Sequence, residues 1–183
     1  MTRKNQIVIA LFALACFVAG IVLYVVVFAP QPTQTASTSK PVSMVDQRRP
    51  DFTLLDTSDK KHDIAEWDGK VILLNFWATW CPPCRHEIPA FIDTYNKFHD
   101  KGLMIVGVAL DSKQNAIDFV DPMGINYPIL VAEQTGIGLT QEYGNHLGVL
   151  PYSVIIDRKG VIRHTISHEL TQQQAEQLIT PLL

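Results

Sequence analysis

Two stretches, "KVILLNFWA" at 70–78 and "LMIVGVAL" at 103–110, constrain most how this chain can fold. Each is almost continuously apolar and rich in β-branched residues, the pattern of a strand buried on both faces. Between them, residues 82–100 carry Phe91, Ile92, Tyr95 and Phe98 at helical spacing, with Lys, Asp and Asn between. A strand, a helix and a second buried strand make a right-handed βαβ unit in a parallel sheet. Residues 113–121 and 138–143 predict short helices, with "YPILV" (127–131) as a strand between them. "YSVIID", "RKG" and "VIRHTI" (152–166) predict a hairpin around a Gly-containing turn. "TQQQAEQLITPLL" closes the chain as a helix with Thr171 at its N-cap. The expected domain is an α/β sandwich of roughly 130 residues, of ordinary single-domain size, around a central mixed sheet.

The N-terminal region has a different character. Residues 7–29, "IVIALFALACFVAGIVLYVVVFA", are uncharged and apolar throughout. Roughly 20 such residues, rising 1.5 Å each as a helix, cross a bilayer core of about 30 Å. Arg3 and Lys4 precede the run, and the next basic residue is Lys40. The positive-inside rule then keeps residues 1–6 cytoplasmic and places everything after Phe28 outside. A cleavable signal peptide has a shorter apolar core, about 7–15 residues, so the run predicts an uncleaved transmembrane helix. Cys16 is not read as a lipid attachment site, because the apolar stretch continues a dozen residues beyond it. It reads as a small apolar residue within the membrane helix.

Residues 30–49, "PQPTQTASTSKPVSMVDQRR", are rich in Pro, Ser, Thr and Gln and read as a flexible tether. The folded domain is expected over 50–183. Beyond the anchor lie 13 of the 15 basic residues and all 18 acidic ones, a net of −5. The basic residues are scattered, which excludes a nucleic-acid footprint or an anionic-membrane surface. Three cysteines are too few for a disulfide scaffold, and no repeat signals a solenoid or propeller.

The chemistry concentrates in "FWATWCPPCRHEIP" (76–89). A cysteine reacts as its thiolate. Cys81 follows the strand directly and precedes Pro82, a residue favoured in the first turn of a helix. That places Cys81 at a helix N-terminus, where free N–H groups and the helix dipole stabilise an anion. Cys84, one turn on, is near enough to close a disulfide. Cys81 is expected to be the exposed attacking thiol and Cys84 the more buried resolving one. As a static staple the pair would close a very small ring, which constrains little chain. Haem attachment needs C-x-x-C-H, but Arg85 follows and the histidine comes one later at His86, which reads as a solvated helix residue. Structural zinc needs a second ligand pair, and the chain has no other cysteine pair. A peroxidatic cysteine expects a threonine three residues before it, a place held here by Ala78 for Cys81 and by Cys81 for Cys84.

"ILLNFWATWCPPCRHEIP", together with "PDFTLLD", "MIVGVALD" and "GVLPYSVIIDRKG", resembles the thioredoxin superfamily. The resemblance covers 50–183 and is specific to the membrane-anchored TlpA/ResA-like thiol-disulfide oxidoreductases, with "PDFTLLD" shared with the AhpC/TSA-redoxin branch. It implies a thioredoxin-like α/β/α sandwich and a protein-disulfide reductase that uses no cofactor and no metal. Pro151 matches the cis-proline facing the active-site sulfurs, leaving the backbone of Leu150 to pair with an extended substrate. Pro89 matches the kink in the active-site helix. Glu87 matches an acidic residue that relays protons, and Trp80 the aromatic residue beside the nucleophile. Asn75 stands where cytosolic thioredoxins carry a buried aspartate, so the proton task passes to Glu87, water or the substrate. Residues 111–135 match a helix–strand insertion that shapes partner choice.

The resemblance further implies disulfide-bonded protein substrates, apocytochrome c among them, and a membrane electron donor of the CcdA/DsbD type. The expected location is the outer side of a bacterial inner membrane. Two other readings stay open at this point. The "PDFTL" start admits a thiol peroxidase. A copper metallochaperone would use the cysteines with His146, His164 or His168, although that group usually spaces its cysteines by three residues.

Overall fold

The structure, a computed structural model, describes residues 14, 16–24 and 43–183. Met1–Lys40 and Pro41–Leu183 are separate units. Residues 14 and 16–24 are helical, and most of the expected anchor (7–29) and tether (30–49) lies outside the described residues. Among the described residues no helix is long and apolar enough to cross a membrane.

The two long apolar runs become β3 (Val71–Trp77) and β4 (Leu103–Ala109), every residue of both buried. They pair in parallel from Val71↔Leu103 to Trp77↔Ala109. The crossover is helix α1 (Pro82–Phe98), so the predicted βαβ unit is present. β5 (Ile129–Val131) adds in parallel to β4, whereas β6 (Tyr152–Ile156) runs antiparallel to β3 and β7 (Ile162–Ile166) antiparallel to β6. β1 (Thr53–Asp56) and β2 (Lys61–Asp63) complete a seven-stranded mixed sheet of order β2-β1-β5-β4-β3-β6-β7. Those two strands carry no apolar run, and their alternation is too short to stand out in the sequence. α2 (Lys113–Met123) runs to a left-handed Gly124, and α3 (Gly136–Glu142) begins two residues earlier than its apolar spacing predicts. α4 (Gln172–Ile179) has the expected Thr171 N-cap, completed as a capping box with Gln174.

Side chains of a strand alternate between the two faces of its sheet. Val71, Leu73 and Trp77 pack with Ile88, Phe91 and Ile179 on the α1 and α4 side. Ile72, Leu74 and Phe76 pack with Trp67, Leu139 and Tyr143 on the other. Asn75 falls in register with the first set, so its polar side chain is turned toward α1.

The domain boundary at Pro50 needs correction. Asp46 N donates to Ile162 O (2.8 Å), Ile162 N to Gln47 O (2.9 Å) and Arg49 N to Gly160 O (2.8 Å). Arg49 is buried between Asp51 and Asp68, with Nη2 donating to Asp68 Oδ1 at 2.7 Å. Residues 46–49 therefore belong to the folded unit. They join it through backbone hydrogen bonds and through ion pairs from buried Arg49 to two exposed carboxylates, so their composition still reads as tether.

Candidate active site

β3 ends at Trp77, and the next residues are held by polar contacts. Leu110 N donates to Trp77 O (2.8 Å) and Cys81 N to Ala78 O (3.2 Å). Both Thr79 N (2.9 Å) and Thr79 Oγ1 (2.6 Å) donate to Asp111 Oδ2. The other oxygen of Asp111 accepts from Ser112 N (3.1 Å) and Asn115 Nδ2 (2.8 Å). Burial pushes the Asp111 carboxyl up, but these hydrogen bonds outweigh it and hold it below the ordinary range. Asp111 thus ties the loop before the cysteines to the start of α2.

Cys81 is the N-cap of α1, in extended backbone conformation, and its Sγ accepts from Cys84 N at 3.3 Å. Pro82 and Pro83 fill the first two helical positions, and no acidic residue lies in the first turn. Cys81 and Cys84 are joined as a disulfide with Cα atoms 5.3 Å apart. Cys84 is fully buried, as expected, but Cys81 is only 4% exposed. The predicted order of accessibility holds and the predicted exposure of Cys81 does not. Both sulfurs belong to the apolar cluster beneath α1, which leaves only an edge of Cys81 open. Trp80, 68% exposed, stands beside that edge.

The Leu150–Pro151 peptide bond is cis. The pairing of Phe76 with Tyr152 brings Pro151 and Leu150 to the end of β3 where the cysteines lie. Pro151 is buried, and Leu150 is half-buried against the cluster holding both sulfurs. The preceding loop is closed by Asn145, whose side chain donates to Val149 O (2.8 Å) and accepts from Val149 N (3.1 Å). Leu147 is left almost fully exposed at its tip.

Glu87, one turn beyond Cys84, is only 1% exposed. Its Oε1 accepts from Asn75 Nδ2 (2.7 Å) and its Oε2 from Leu170 N (3.0 Å). Burial pushes its carboxyl up to about 7, outweighing the two hydrogen bonds, and the charge of Glu169 adds to the rise. A carboxyl that changes charge near neutrality suits proton transfer. Pro89 lies inside α1, and the helix continues through it to Phe98.

α2 packs Phe119 against Trp77 (5.3 Å between centroids), with the Arg85 guanidinium 5.9 Å above the same ring. Pro82, Arg85, His86, Phe119 and Met123 line a cavity of about 270 Å³ beside the first turn of α1. α2 therefore forms one wall of this cavity. His146 and His168 are exposed and His164 is half-buried on β7. Among the described residues no three His, Cys, Asp or Glu side chains gather as a metal site, so these histidines do not join the cysteines.

Of the residues singled out in the sequence, Cys81, Cys84, Glu87, Trp80, Leu150 and Pro151 lie at one end of the sheet. Asp111, Asn145 and Ser153 carry no comparable sequence signal, because their partners are set by the fold. The Asn in "GNHLGV" carries a weak signal, since asparagine closes loops through its own backbone contacts.

A disulfide-linked cysteine pair capping a helix, at the end of a buried parallel strand and beside a cis-proline, defines a thioredoxin-fold thiol-disulfide oxidoreductase. The AhpC/TSA family pattern matches residues 45–165, and the chain belongs to that family. Thiol-disulfide oxidoreductase ResA of Bacillus cereus is 30% identical, covering 98% of this chain and 99% of that protein. Thioredoxin-like protein YneN of Bacillus subtilis is 36% identical, covering 72% of this chain and 76% of its own. The crystal structure of a thiol:disulfide interchange protein of the thioredoxin family from Chlorobium tepidum matches with a TM-score of 0.67. That match has 27% identity and covers 74% of this chain and 94% of the other.

Proposed function

We propose that this thiol-disulfide oxidoreductase works as a membrane-tethered reductase of exported proteins, on the outer side of a bacterial inner membrane. The observation that carries the chemistry is the Cys81–Cys84 pair at the N-cap of α1, with buried Glu87 in the next turn. In the reduced enzyme the helix N-terminus stabilises the Cys81 thiolate. That thiolate attacks one sulfur of a substrate disulfide. The substrate S–S bond breaks, a mixed disulfide forms, and the other substrate sulfur leaves as a thiolate that takes a proton. Cys84, losing its proton toward Glu87 directly or through water, then attacks Cys81 Sγ and releases the second substrate thiol. Two electrons have passed to the substrate, and the enzyme is left as the Cys81–Cys84 disulfide. A membrane dithiol donor of the CcdA/DsbD type would return two electrons and two protons.

Trp80 and the Leu150 backbone beside Pro151 flank the sulfurs and would receive an extended substrate segment. The α2 wall of the insertion would set which segments fit. The uncharged run 7–29 supports the tether, and the positive-inside rule supports the outward orientation. The reducing direction rests on the family resemblance and on a compartment that already oxidises thiols. Apocytochrome c awaiting haem is the proposed substrate class.

Cys81→Ser is expected to lose disulfide reduction altogether, and full activity in that variant would overturn the mechanism. Cys84→Ser in cells is expected to strand mixed disulfides with apocytochromes. Recovery of other exported proteins instead would displace the apocytochrome assignment, and recovery of no protein partner would defeat the reductase scheme. Peroxide turnover much faster than disulfide exchange would favour the peroxidase reading instead.

A further inference from the structure

Asn75 is more than the absence of the aspartate that the superfamily pattern leads one to expect. Asn75, Glu87 and Ser153 are all buried, and they form one chain of contacts. The Asn75 side-chain nitrogen donates to Glu87 Oε1 at 2.7 Å and to Ser153 Oγ at 3.0 Å. Asn75 and Ser153 are also direct register partners on β3 and β6, so the sheet fixes their side chains next to each other. An ionised carboxylate can only accept hydrogen bonds, whereas an asparagine amide carries two donors. An aspartate at position 75 would set one buried acceptor against another, and two carboxylates in one site drive the proton affinity of at least one upward.

We propose that Asn75 and Ser153 are positioning residues for the proton step: Ser153 anchors the Asn75 amide so that an N–H faces Glu87 and favours its carboxylate. The inference rests on the role given to Glu87 above. It assigns to the strand position of the missing acid a donor that the acid at 87 requires. It also links the proton group to β6, because Ser153 lies two residues beyond Pro151 on the strand that continues from Leu150.

The groups facing Glu87 are few. Asn75 comes from β3 and Leu170 N from the segment before α4. The charge of Glu169 acts on it from that same segment, and buried Tyr127 is coupled to it from the segment before β5. Of the two hydrogen-bond donors, the Leu170 backbone N–H stays in place in any side-chain variant, which leaves Asn75 as the adjustable one.

The test is the ionisation midpoint of Glu87, followed by the infrared carboxyl band that disappears in Glu87→Gln, alongside the pH profile of kcat. Asn75→Leu, similar in size and without polar atoms, is expected to raise the midpoint by about one unit, a tenfold change in proton affinity. Ser153→Ala is expected to raise it by less, and Ser153→Thr, which keeps the hydroxyl, to restore it. The kcat profile is expected to move with the midpoint while KM stays unchanged. A midpoint unmoved in both Asn75→Leu and Ser153→Ala would overturn the proposal. So would a Ser153→Thr variant, natively folded by circular dichroism, that behaves like Ser153→Ala. The infrared reading needs no turnover. If the midpoint moves as expected but the kcat profile does not follow it, the pair governs Glu87 and the relay role assigned to Glu87 fails.

Discussion

The β3–α1 centre and the β1–β2 edge of the same sheet are held together in opposite ways. β3 is seven buried residues, six of them apolar, and its one polar member, Asn75, has two hydrogen-bond partners. The β1–β2 hairpin is short and alternately exposed, and it is fastened by side-chain oxygens acting on backbone N–H groups. Asp56 Oδ1 accepts from Ser58 N (2.7 Å) and Lys60 N (2.9 Å). Asp63 caps the following 3-10 turn in a capping box with Glu66. His62 lies between Asp56 (3.1 Å) and Glu66 (3.0 Å) and stacks on Trp67. A polar group in water can lose a partner at little cost, whereas in a dry core the same loss is expensive. Reactive groups in the centre are therefore few and individually positioned, while the edge uses many weaker polar contacts.

Substitutions at the centre and at the edge would break or sharpen this contrast. Phe91→Ala, which empties a fully buried position under β3, is expected to cost about 3–5 kcal/mol in denaturant unfolding. Its edge counterpart, Leu55→Ala, is expected to stay within about 0.5 kcal/mol. If the two costs were similar, the contrast would be wrong.

Glu87 comes next in size. Its carboxyl is raised in the folded state, to about 7 from an ordinary value near 4.5, so the folded protein binds the proton more tightly than the unfolded chain. That contribution is fully present below about pH 4.5 and is lost as pH rises through about 7. Its size is on the order of 3 kcal/mol. Glu87→Gln is expected to flatten this part of the stability profile between about pH 5 and 8, measured by urea unfolding at each pH. A profile with unchanged slope would show that Glu87 is not the titrating group.

Asp111→Ala frees Thr79 and removes the acceptor shared with Asn115. It is expected to cost about 1–3 kcal/mol and to slow disulfide exchange, because the loop leading into Cys81 loses its anchor. An unchanged exchange rate would confine Asp111 to stability. Of the polar substitutions, Asp63→Ala is expected to have the smallest effect, about 0.5–2 kcal/mol from a lost cap, with exchange at the wild-type rate. Any loss of exchange there would mean that edge and centre are coupled.

Much of the fold was legible because its strongest elements are locally encoded. Residues 71–77 and 103–109 are almost wholly apolar, and a run of that kind has few places to go except the middle of a sheet. Thr171 announces a helix start as an N-cap residue before the closing helical segment. The β1–β2 hairpin was not legible, because polar strands of three or four residues have no period long enough to register. The end of the tether was also misplaced, since Gln47, Arg48 and Arg49 are polar yet belong to the fold through backbone pairing and the ion pair of buried Arg49 with Asp68.

By itself the sequence determined the βαβ unit, the placing of Cys81 at a helix start, and the choice of thiol chemistry over haem attachment. These depend largely on residue type and local spacing, the range over which helix and strand periodicity act. Only the tertiary structure decided that Cys81 is nearly covered and that Asp111 holds Thr79 from 32 residues away. It alone also decided that Glu87 meets Asn75 across 12 residues and Leu170 across 83. The physical reason is that a proton affinity or a thiol's accessibility depends on what is packed around the group. The neighbours of Glu87 alone come from β3, the approach to α4 and the segment before β5 at once.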